Sequence, residues 1–130
     1  MFTKVKNSKQ QGNVGIGQAI AYFTKMGYTV CIPLTDSQNY DLIVENGTIQ
    51  KVQVKTSNYV VKSGGYEVAL GTCGGNQSFN TVKKFDPSQV DLLFITLGNG
   101  QSYCIPTSIL PKKDRRTITI GKKYSEYKIR

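Results

Sequence analysis

Polar and apolar residues alternate along the stretch IQKVQVKTS, a pattern with a period of two that is typical of a β-strand. Side chains of a strand point alternately to the two faces of its sheet. Val52 and Val54 therefore share one face, and Gln53 and Lys55 share the other. The preceding segment YDLIVE alternates in a similar way and carries Asp41 near its start. We predict two neighbouring strands, each with one polar face.

The dipeptide Asn46-Gly47 lies between these two segments, and such a dipeptide between alternating segments predicts a tight β-hairpin. A polar face on such a hairpin has two interpretations. It faces water, which is the ordinary case for a sheet with one solvated side. Alternatively, it lines a small reactive pocket to which Asp41, Gln53 and Lys55 contribute.

The segment GNVGIGQAIAYFTKMGY predicts an amphipathic helix that ends near Gly27, because apolar residues recur in it at helical spacing. Residues 1–11 are polar and basic and are predicted to form an arm before this helix. The glycines at the helix start resemble a phosphate-binding loop only loosely. No strand precedes them and no G-K-[ST] follows, so we expect no nucleotide cofactor. The apolar residues of the helix are Ile16, Ala19, Ile20 and Phe23.

The rest of the chain is dominated by strands. YTVCIPL is rich in β-formers, VDLLFITL is continuously apolar as expected of a central strand, and SYCIP is predicted to return antiparallel to it. TSIL predicts a short helical turn, and the tail RTITIGKKYSEYKIR is predicted to add an edge strand. Residues 59–80 are rich in glycine around a predicted strand, YEVAL, and the stretch as a whole is predicted to be irregular and mobile. The order predicts one α/β (α+β) domain over 1–130, a mixed sheet flanked by helix.

The charge balance points to a polyanionic partner. Seventeen Lys and Arg against eight Asp and Glu give a net charge of +9 in 130 residues. Such a charge favours nucleic acid over a role in solubility alone. No apolar run approaches the length of a membrane span, and the N-terminus lacks the apolar core of a signal peptide. We expect no membrane partner.

The three cysteines, Cys31, Cys73 and Cys104, are odd in number and widely spaced, which disfavours a disulfide framework and a zinc knuckle. We expect Cys31 and Cys104 to be buried thiols, in a reduced, cytoplasmic setting. The chain has no histidine. This absence excludes a Ser-His-Asp triad, a Cys-His pair and an H-E-x-x-H zinc site. Hydrolytic chemistry would have to use carboxylates, lysine, tyrosine or a metal ion.

Asp41 stands apart from the other seven carboxylates because it shares a hairpin with Gln53 and Lys55. Asp86 before Pro87 is predicted to form a turn or helix cap, and Asp91 is predicted to be a structural hydrogen-bonding residue. Phosphodiester hydrolysis needs charge relief at the phosphate, and Mg²⁺ supplies it while accepting one or two carboxylate ligands. Asp41, the side-chain oxygen of Gln53 and the main-chain carbonyl of Val54 are candidate ligands. Lys55 is a candidate to hold the attacking water.

Five short motifs occur in one order: Gly12-Asn-Val-Gly15, Tyr40-Asp41-Leu42, Val52-Gln53-Val54-Lys55-Thr56, Asp91-Leu92-Leu93-Phe94-Ile95 and Tyr103-Cys104-Ile105-Pro106. In this order the chain resembles the PD-(D/E)XK nuclease superfamily, most closely the branch of group I intron homing endonucleases and more distantly archaeal Holliday-junction resolvases. The resemblance implies a restriction-endonuclease-like fold and site-specific DNA cleavage with Mg²⁺, or Mn²⁺ as an alternative. It also implies Asp41 as metal ligand, Gln53 in the usual place of a glutamate and Lys55 as the superfamily lysine.

One position departs from the family pattern. The glutamate that the pattern puts after the second glycine is replaced by Ile16. With Gln53 neutral and Ile16 apolar, Asp41 is the only charged ligand expected, so the resemblance implies an enzyme whose activity is weakened or lost. A non-catalytic DNA-binding protein on a nuclease fold is therefore an alternative, as are a Holliday-junction resolvase and, from charge and tyrosines alone, an RNA-binding module.

Double-stranded DNA is the expected partner, contacted by basic residues from several segments. Cutting both strands takes two active sites, so we expect a homodimer or homotetramer. The candidate DNA-binding residues are Lys4, Lys6, Lys9, Lys62, Lys83, Lys84, Lys112, Lys113, Arg115 and Arg116.

Overall fold

The structure is a computed structural model that describes residues 1–73, 82–83, 85–111 and 116–130, with the side chains of 72, 73, 82 and 83 left aside. One long helix precedes a series of strands with three short 3₁₀ segments among them. The helix is α1 (Ser8–Lys25). The strands are β1 (Thr29–Cys31), β2 (Leu42–Glu45), β3 (Ile49–Ser57), β4 (Tyr66–Ala69), β5 (Thr72–Cys73), β6 (Val82–Lys83), β7 (Leu92–Leu97), β8 (Ser102–Pro106) and β9 (Thr117–Ile120). The 3₁₀ segments are Pro87–Gln89, Thr107–Ile109 and Lys122–Tyr127.

Five strands form the main sheet in the order β1-β2-β3-β7-β8. β3 and β7 are parallel and the other neighbours are antiparallel, which confirms the predicted mixed sheet. The hairpin from β2 to β3, the internal position of β7 and the antiparallel return of β8 are as predicted. The tail strand β9 does not join this sheet. It pairs with β4 in a second sheet, while β5 pairs with β6.

The main sheet buries a separate apolar cluster on each face. On one face α1 covers β2 and β3, through Ala19 and Phe23 packed against Leu42, Val52 and their neighbours. On the other face, β4 and β9 cover the side chains that β7 and β8 present there. The strand β3 therefore lies between two layers, and each of its faces has a different neighbour.

The helix begins earlier than predicted. It starts at Ser8 with Asn7 as N-cap, whose side chain accepts a hydrogen bond from the main-chain N–H of Gln10. The side chain of Gln10 in turn accepts one from the main-chain N–H of Lys6, which completes a reciprocal cap. The prediction of an arm over 1–11 is thus wrong from Ser8 onwards, and Phe2 in the remainder is buried.

One further prediction needs correction. Cys31 is exposed, because β1 is an edge strand that turns Val30, not Cys31, towards the apolar cluster under α1. Cys104 packs against that cluster, and burial raises the pKa of its thiol to about 11. Within the glycine-rich stretch, the predicted strand YEVAL is present as β4 (Tyr66–Ala69). In the described part of the chain, no helix combines the length and apolar character needed to cross a bilayer.

Candidate active site

Asp41 and Gln53 meet where the β2–β3 hairpin opens. The amide nitrogen of Gln53 donates a hydrogen bond of 2.8 Å to Oδ2 of Asp41, and the main-chain N–H of Val54 donates another of 2.8 Å to the same oxygen. Gln53 is only 7% exposed. Because both donors approach Oδ2, the oxygen Oδ1 of Asp41 and the amide oxygen of Gln53 are the atoms available for a cation.

The end of a strand creates this arrangement. The main-chain N–H of Asp41 donates to the carbonyl of Val52, and β2 begins one residue later. Main-chain groups of a strand point alternately to its two neighbours. The N–H and carbonyl of Val54 therefore point to the side where β2 has not yet begun, and the carboxylate of Asp41 takes the place of the missing strand. The carbonyl of Val54 is directed to this same open side.

Burial and charge act in opposite directions on Asp41. Burial is the largest influence and raises the pKa of its carboxyl above the ordinary value of 3.8, while the hydrogen bond from Val54 and the positive charge of Lys55 lower it. The net shift is upwards. A buried carboxylate with a raised pKa is a position where a cation is favoured, because a cation offsets the lost hydration.

Lys55 lies on the same face of β3 as Gln53, two residues further along. Its Nζ lies 3.4 Å from the carbonyl of Gly71, which follows β4. Its positive charge acts on Asp41. In β7, the residues opposite Gln53 and Lys55 are Leu93 and Ile95, which belong to the second apolar cluster. Gln53 and Lys55 are thus polar residues on a face of the sheet where the neighbouring strand β7 is apolar.

Sequence reasoning missed the contacts that brace the loop before Asp41. The side-chain amide of Gln38 donates to the carbonyls of Thr35 and Tyr40. The amide of Asn39 donates to the side chain of Gln89, in the 3₁₀ segment before β7. These amides lie in polar loops, and no local pattern links them. They hold the loop that leads into Asp41.

Two carboxylates have the structural roles that the sequence predicts. Asp86 caps the 3₁₀ segment Pro87–Gln89 by accepting from the main-chain N–H of Ser88. Asp91 accepts a hydrogen bond of 2.8 Å from the main-chain N–H of Lys51 and so ties β3 to the start of β7. Both carboxylates are thus engaged in hydrogen bonds with main-chain N–H groups.

Ile16 packs against the apolar cluster under α1, the face of the sheet opposite Gln53 and Lys55. Its neighbour Gly15 is buried where the helix crosses β3. A Cβ at Gly15 would lie 2.6 Å from Cγ2 of Thr56 and 3.1 Å from Cγ1 of Val54, so the close approach requires glycine. The helix is also joined to β3 by a hydrogen bond of 3.0 Å from the Gln11 amide to the Thr56 hydroxyl.

The donor set suits a hard divalent cation. Asp41, Gln53 and Val54 offer one charged and two neutral oxygens, and Mg²⁺ accepts one or two carboxylates with waters and phosphate oxygens completing its shell. Among the described residues, no group of three or more His, Cys, Asp or Glu side chains could hold a metal ion. Of the three candidate ligands, Asp41 is the one that carries a negative charge.

The candidate DNA-binding residues are only partly described. Lys4, Lys6, Lys9, Lys62 and Arg116 are exposed. Lys84, Lys112, Lys113 and Arg115 lie outside the described residues, as does the side chain of Lys83. The described members come from the segment before α1, the start of α1, the turn before β4 and the start of β9, so they do not form one cluster along the chain.

Comparison with known proteins agrees with this architecture. The family model described as PD-(D/E)XK endonuclease matches residues 6–127. Protein 5.3 of Escherichia phage T7 is 44% identical over 62 residues, which are 45% of this chain, and the match spans only about half (52%) of the length of that relative.

Among solved structures, that of the bacterial homing endonuclease I-Ssp6803I superposes with a TM-score of 0.78 at 23% identity, covering 95% of this chain and 89% of that one. The similarity confirms the predicted nuclease-like α/β fold. Together with the hairpin that brings Asp41 to Gln53 and Lys55, the match over most of the chain establishes that this protein belongs to the PD-(D/E)XK endonuclease family.

Proposed function

We propose that the protein is a magnesium-dependent endonuclease of the homing-endonuclease type, which hydrolyses phosphodiester bonds at specific sites in double-stranded DNA. The observation that carries the proposal is the hydrogen-bonded pair of Asp41 and Gln53 beside Lys55 at the open end of the hairpin. The net charge of +9 supports a polyanionic substrate.

The residues of the site divide into two roles in the proposed reaction. Asp41, the amide oxygen of Gln53 and the carbonyl of Val54 would hold Mg²⁺, or Mn²⁺ in its place. A bound ion supplies charge relief at the phosphate and at the leaving oxygen. Lys55 would orient the attacking water and neutralise the charge that develops on the phosphoryl oxygens. The hydrogen bonds to Oδ2 of Asp41 would keep the carboxylate in one orientation.

Exposed basic residues would hold the DNA backbone in this reaction. Lys4, Lys6, Lys9, Lys62 and Arg116 carry charges available to phosphates, and such contacts position DNA without reading its sequence. Cutting both strands would require a second active site, which a homodimer or homotetramer would supply.

A plasmid cleavage assay tests the proposal. Supercoiled plasmid is incubated with the protein over a series of Mg²⁺ and Mn²⁺ concentrations, and nicked and linear products are quantified. We expect metal-dependent cutting, and a loss of at least about a hundredfold in rate for Lys55→Ala, the size of effect found when one transition-state donor is removed. Lys25→Ala, at the far end of α1, is the matched control and should cut as the unmodified protein does.

The negative outcome is equally specific. If duplex, branched and single-stranded DNA all remain intact in both metals, the protein is not a nuclease. Preferential cutting of a four-way junction would instead favour a resolvase.

The second candidate function is a non-catalytic DNA-binding protein, which Ile16 and the single carboxylate favour. That function predicts binding that weakens steeply with salt, with no cleavage.

A further inference from the structure

Residues 59–66 form a short hairpin directly after β3, which we call the tip hairpin. Val60 and Tyr66 form an antiparallel bridge. The main-chain N–H of Val61 donates to the carbonyl of Gly65, and that of Gly64 donates to the carbonyl of Val61, both at 2.9 Å. Gly64 has a φ of +90°, which glycine adopts readily, so the tight turn has the residue it needs.

The base of the tip hairpin is held rigidly. The N–H of Tyr59 donates to the hydroxyl of Ser57 at 3.2 Å, and its carbonyl accepts from the N–H of Glu67 at 3.0 Å. The same hydroxyl donates to the carbonyl of Glu67, so Ser57 links both arms. Gly65 lies against β9, where a Cβ would be 2.9 Å from the carbonyl of Ile120. Both main-chain groups of Tyr59 are thus fixed.

This rigid element presents apolar side chains to solvent. Tyr59 is 64% exposed and the adjacent Val60 is 54% exposed, although single exposed residues of this kind need no explanation. Lys62 is exposed at the turn, and in the described part of the chain its side chain has no hydrogen-bond or ion-pair partner. A tyrosine with a fixed backbone offers a large contact area at little cost in entropy.

The surroundings of the tip hairpin are mainly positive. Tyr66 pairs with Ile120 in β9, so Lys122 and Lys123 follow immediately beside the hairpin. Both are exposed, and Nζ of Lys123 lies 5.6 Å from the ring centre of Tyr124. Two carboxylates belong to the same region. Glu67 pairs with Thr119 in the second sheet, and Glu126 is exposed after Lys123.

We propose that the tip hairpin contacts DNA bases directly, with the Tyr59 ring stacked on an unstacked base and Lys62 on a neighbouring phosphate. Stacking on tyrosine suits any base, and cations beside the ring hold the backbone. The inference rests on the proposed function in one respect, which is that DNA is the substrate. Tyr59 follows Lys55 by four residues, at most about 13 Å between their Cα atoms in extended chain, so the contacted base lies on the DNA segment next to the cleaved phosphate.

Binding to defined DNA tests this without any cleavage. Fluorescence anisotropy in EDTA compares a labelled 30-base-pair duplex with the same duplex carrying a one-nucleotide bulge, whose extra base is already unstacked. The unmodified protein should prefer the bulged duplex by about fivefold or more, the effect of one stacked base. Tyr59→Ala should remove this preference, and Tyr59→Phe should keep it because the ring remains. Lys62→Ala should reduce the slope of log K against log salt by about 0.9.

Matched controls exclude general effects of surface change. Leu34→Ala removes a side chain that is 102% exposed after β1, and Lys25→Ala removes a charge at the end of α1. Both should retain the preference for the bulged duplex.

Several outcomes would overturn the proposal. These are the absence of a preference in the unmodified protein, a preference unchanged in Tyr59→Ala, and a sedimentation coefficient lowered by Tyr59→Ala, which would assign Tyr59 to contact between copies of the chain. If the protein cuts plasmid but Tyr59→Ala binds and cuts normally, only the proposal on the tip hairpin fails. If the protein binds no DNA at all, the proposed function fails with it.

Discussion

The two faces of β3 carry opposite chemistry within a few residues. On the helix side, Val52 and Val54 are buried beneath α1, and Gly15 brings the helix so close that a methyl group would collide with Thr56. On the other side, Gln53 is almost as buried, yet its amide is hydrogen-bonded to the carboxylate of Asp41. Val52, Val54 and Gln53 are all buried, but only the face of Gln53 also carries the charged side chains of Asp41 and Lys55.

The difference shows which elements contribute charged side chains to the candidate site. The helix face contributes apolar packing and one neutral hydrogen bond, from Gln11 to Thr56, since Ile16 joins the apolar cluster and Gly15 leaves no room for a larger side chain. The polar atoms of the site come from the hairpin and from the open end of β3. The family pattern that the sequence resembles has a glutamate on the helix, and in this chain Ile16 stands at that position.

Replacing Ile16 with glutamate would put a charge on the apolar helix side of β3, and it should have the largest effect of the changes considered. The family pattern that the sequence resembles has its glutamate at this position, and α1 approaches Val54, a candidate ligand, through Gly15. A glutamate that extends from the helix face round the open end of the hairpin would add a second carboxylate, so Ile16→Glu should raise plasmid cleavage on the order of a hundredfold at low Mg²⁺, equivalent to the several kcal/mol that a well-held metal supplies. The assay is the cleavage time course at fixed Mg²⁺. Ile16→Gln, similar in size but neutral, is the control and should give no gain.

The result would also separate the two candidate functions. A gain of cutting would identify a nuclease weakened by the loss of one ligand. Normal DNA binding with no cutting in Ile16→Glu would contradict this prediction and favour the non-catalytic DNA-binding protein.

The hairpin at the site could be predicted from the sequence because its signals are local. The alternation around Gln53 and Lys55 and the dipeptide Asn46-Gly47 are contained within a few residues, and the structure has the strands and turn they predict. The pairing of β9 with β4 could not be predicted, because nothing local indicates which distant strand an edge strand will join.

Two errors had different causes. The start of α1 was missed because the glycines from Gly12 onwards suggested a boundary, while the signal for the true start, Asn7 followed three residues later by Gln10, was present. The exposure of Cys31 follows from the position of β1 at the sheet edge, which its apolar neighbours in sequence do not reveal. The contact of Gly15 with Thr56 depends on how the helix crosses the sheet and also has no local signal.

Glycine substitutions in α1 test how tightly the helix face is packed. Gly17 has open space where its Cβ would be, so Gly17→Ala should stabilise the protein by about 1 kcal/mol through helix propensity. Gly15→Ala gains the same propensity but forces Thr56 and Val54 apart, and overpacking costs about 1–3 kcal/mol. Chemical denaturation should therefore rank Gly17→Ala above the unmodified protein and Gly15→Ala at or below it. Equal stabilisation by both would mean that the helix lies further from β3.

The smallest expected effect concerns the charge of Asp41, which lies on the face of β3 away from α1. Its pKa is raised on folding, so the folded protein retains the proton to a higher pH than the unfolded chain, and stability is lost as pH rises from the ordinary value of 3.8 through the raised pKa. Asp41→Asn has no proton to lose and keeps an oxygen to accept from Gln53 and Val54. It should melt a few degrees higher than the unmodified protein at pH 7, and the advantage should disappear below pH 3.8.

Magnesium should act in the opposite direction on the same pair of proteins. A cation that binds the ionised Asp41 stabilises the folded state by mass action, so millimolar Mg²⁺ should raise the melting temperature of the unmodified protein at pH 7 and leave Asp41→Asn unchanged. Thermal melts with and without Mg²⁺ provide both measurements. An equal response of the two proteins to Mg²⁺ would place the ion elsewhere. A lower melting temperature for Asp41→Asn at pH 7 would mean that Lys55 and the hydrogen bonds outweigh burial at this carboxylate, so that both faces of β3 stabilise the fold.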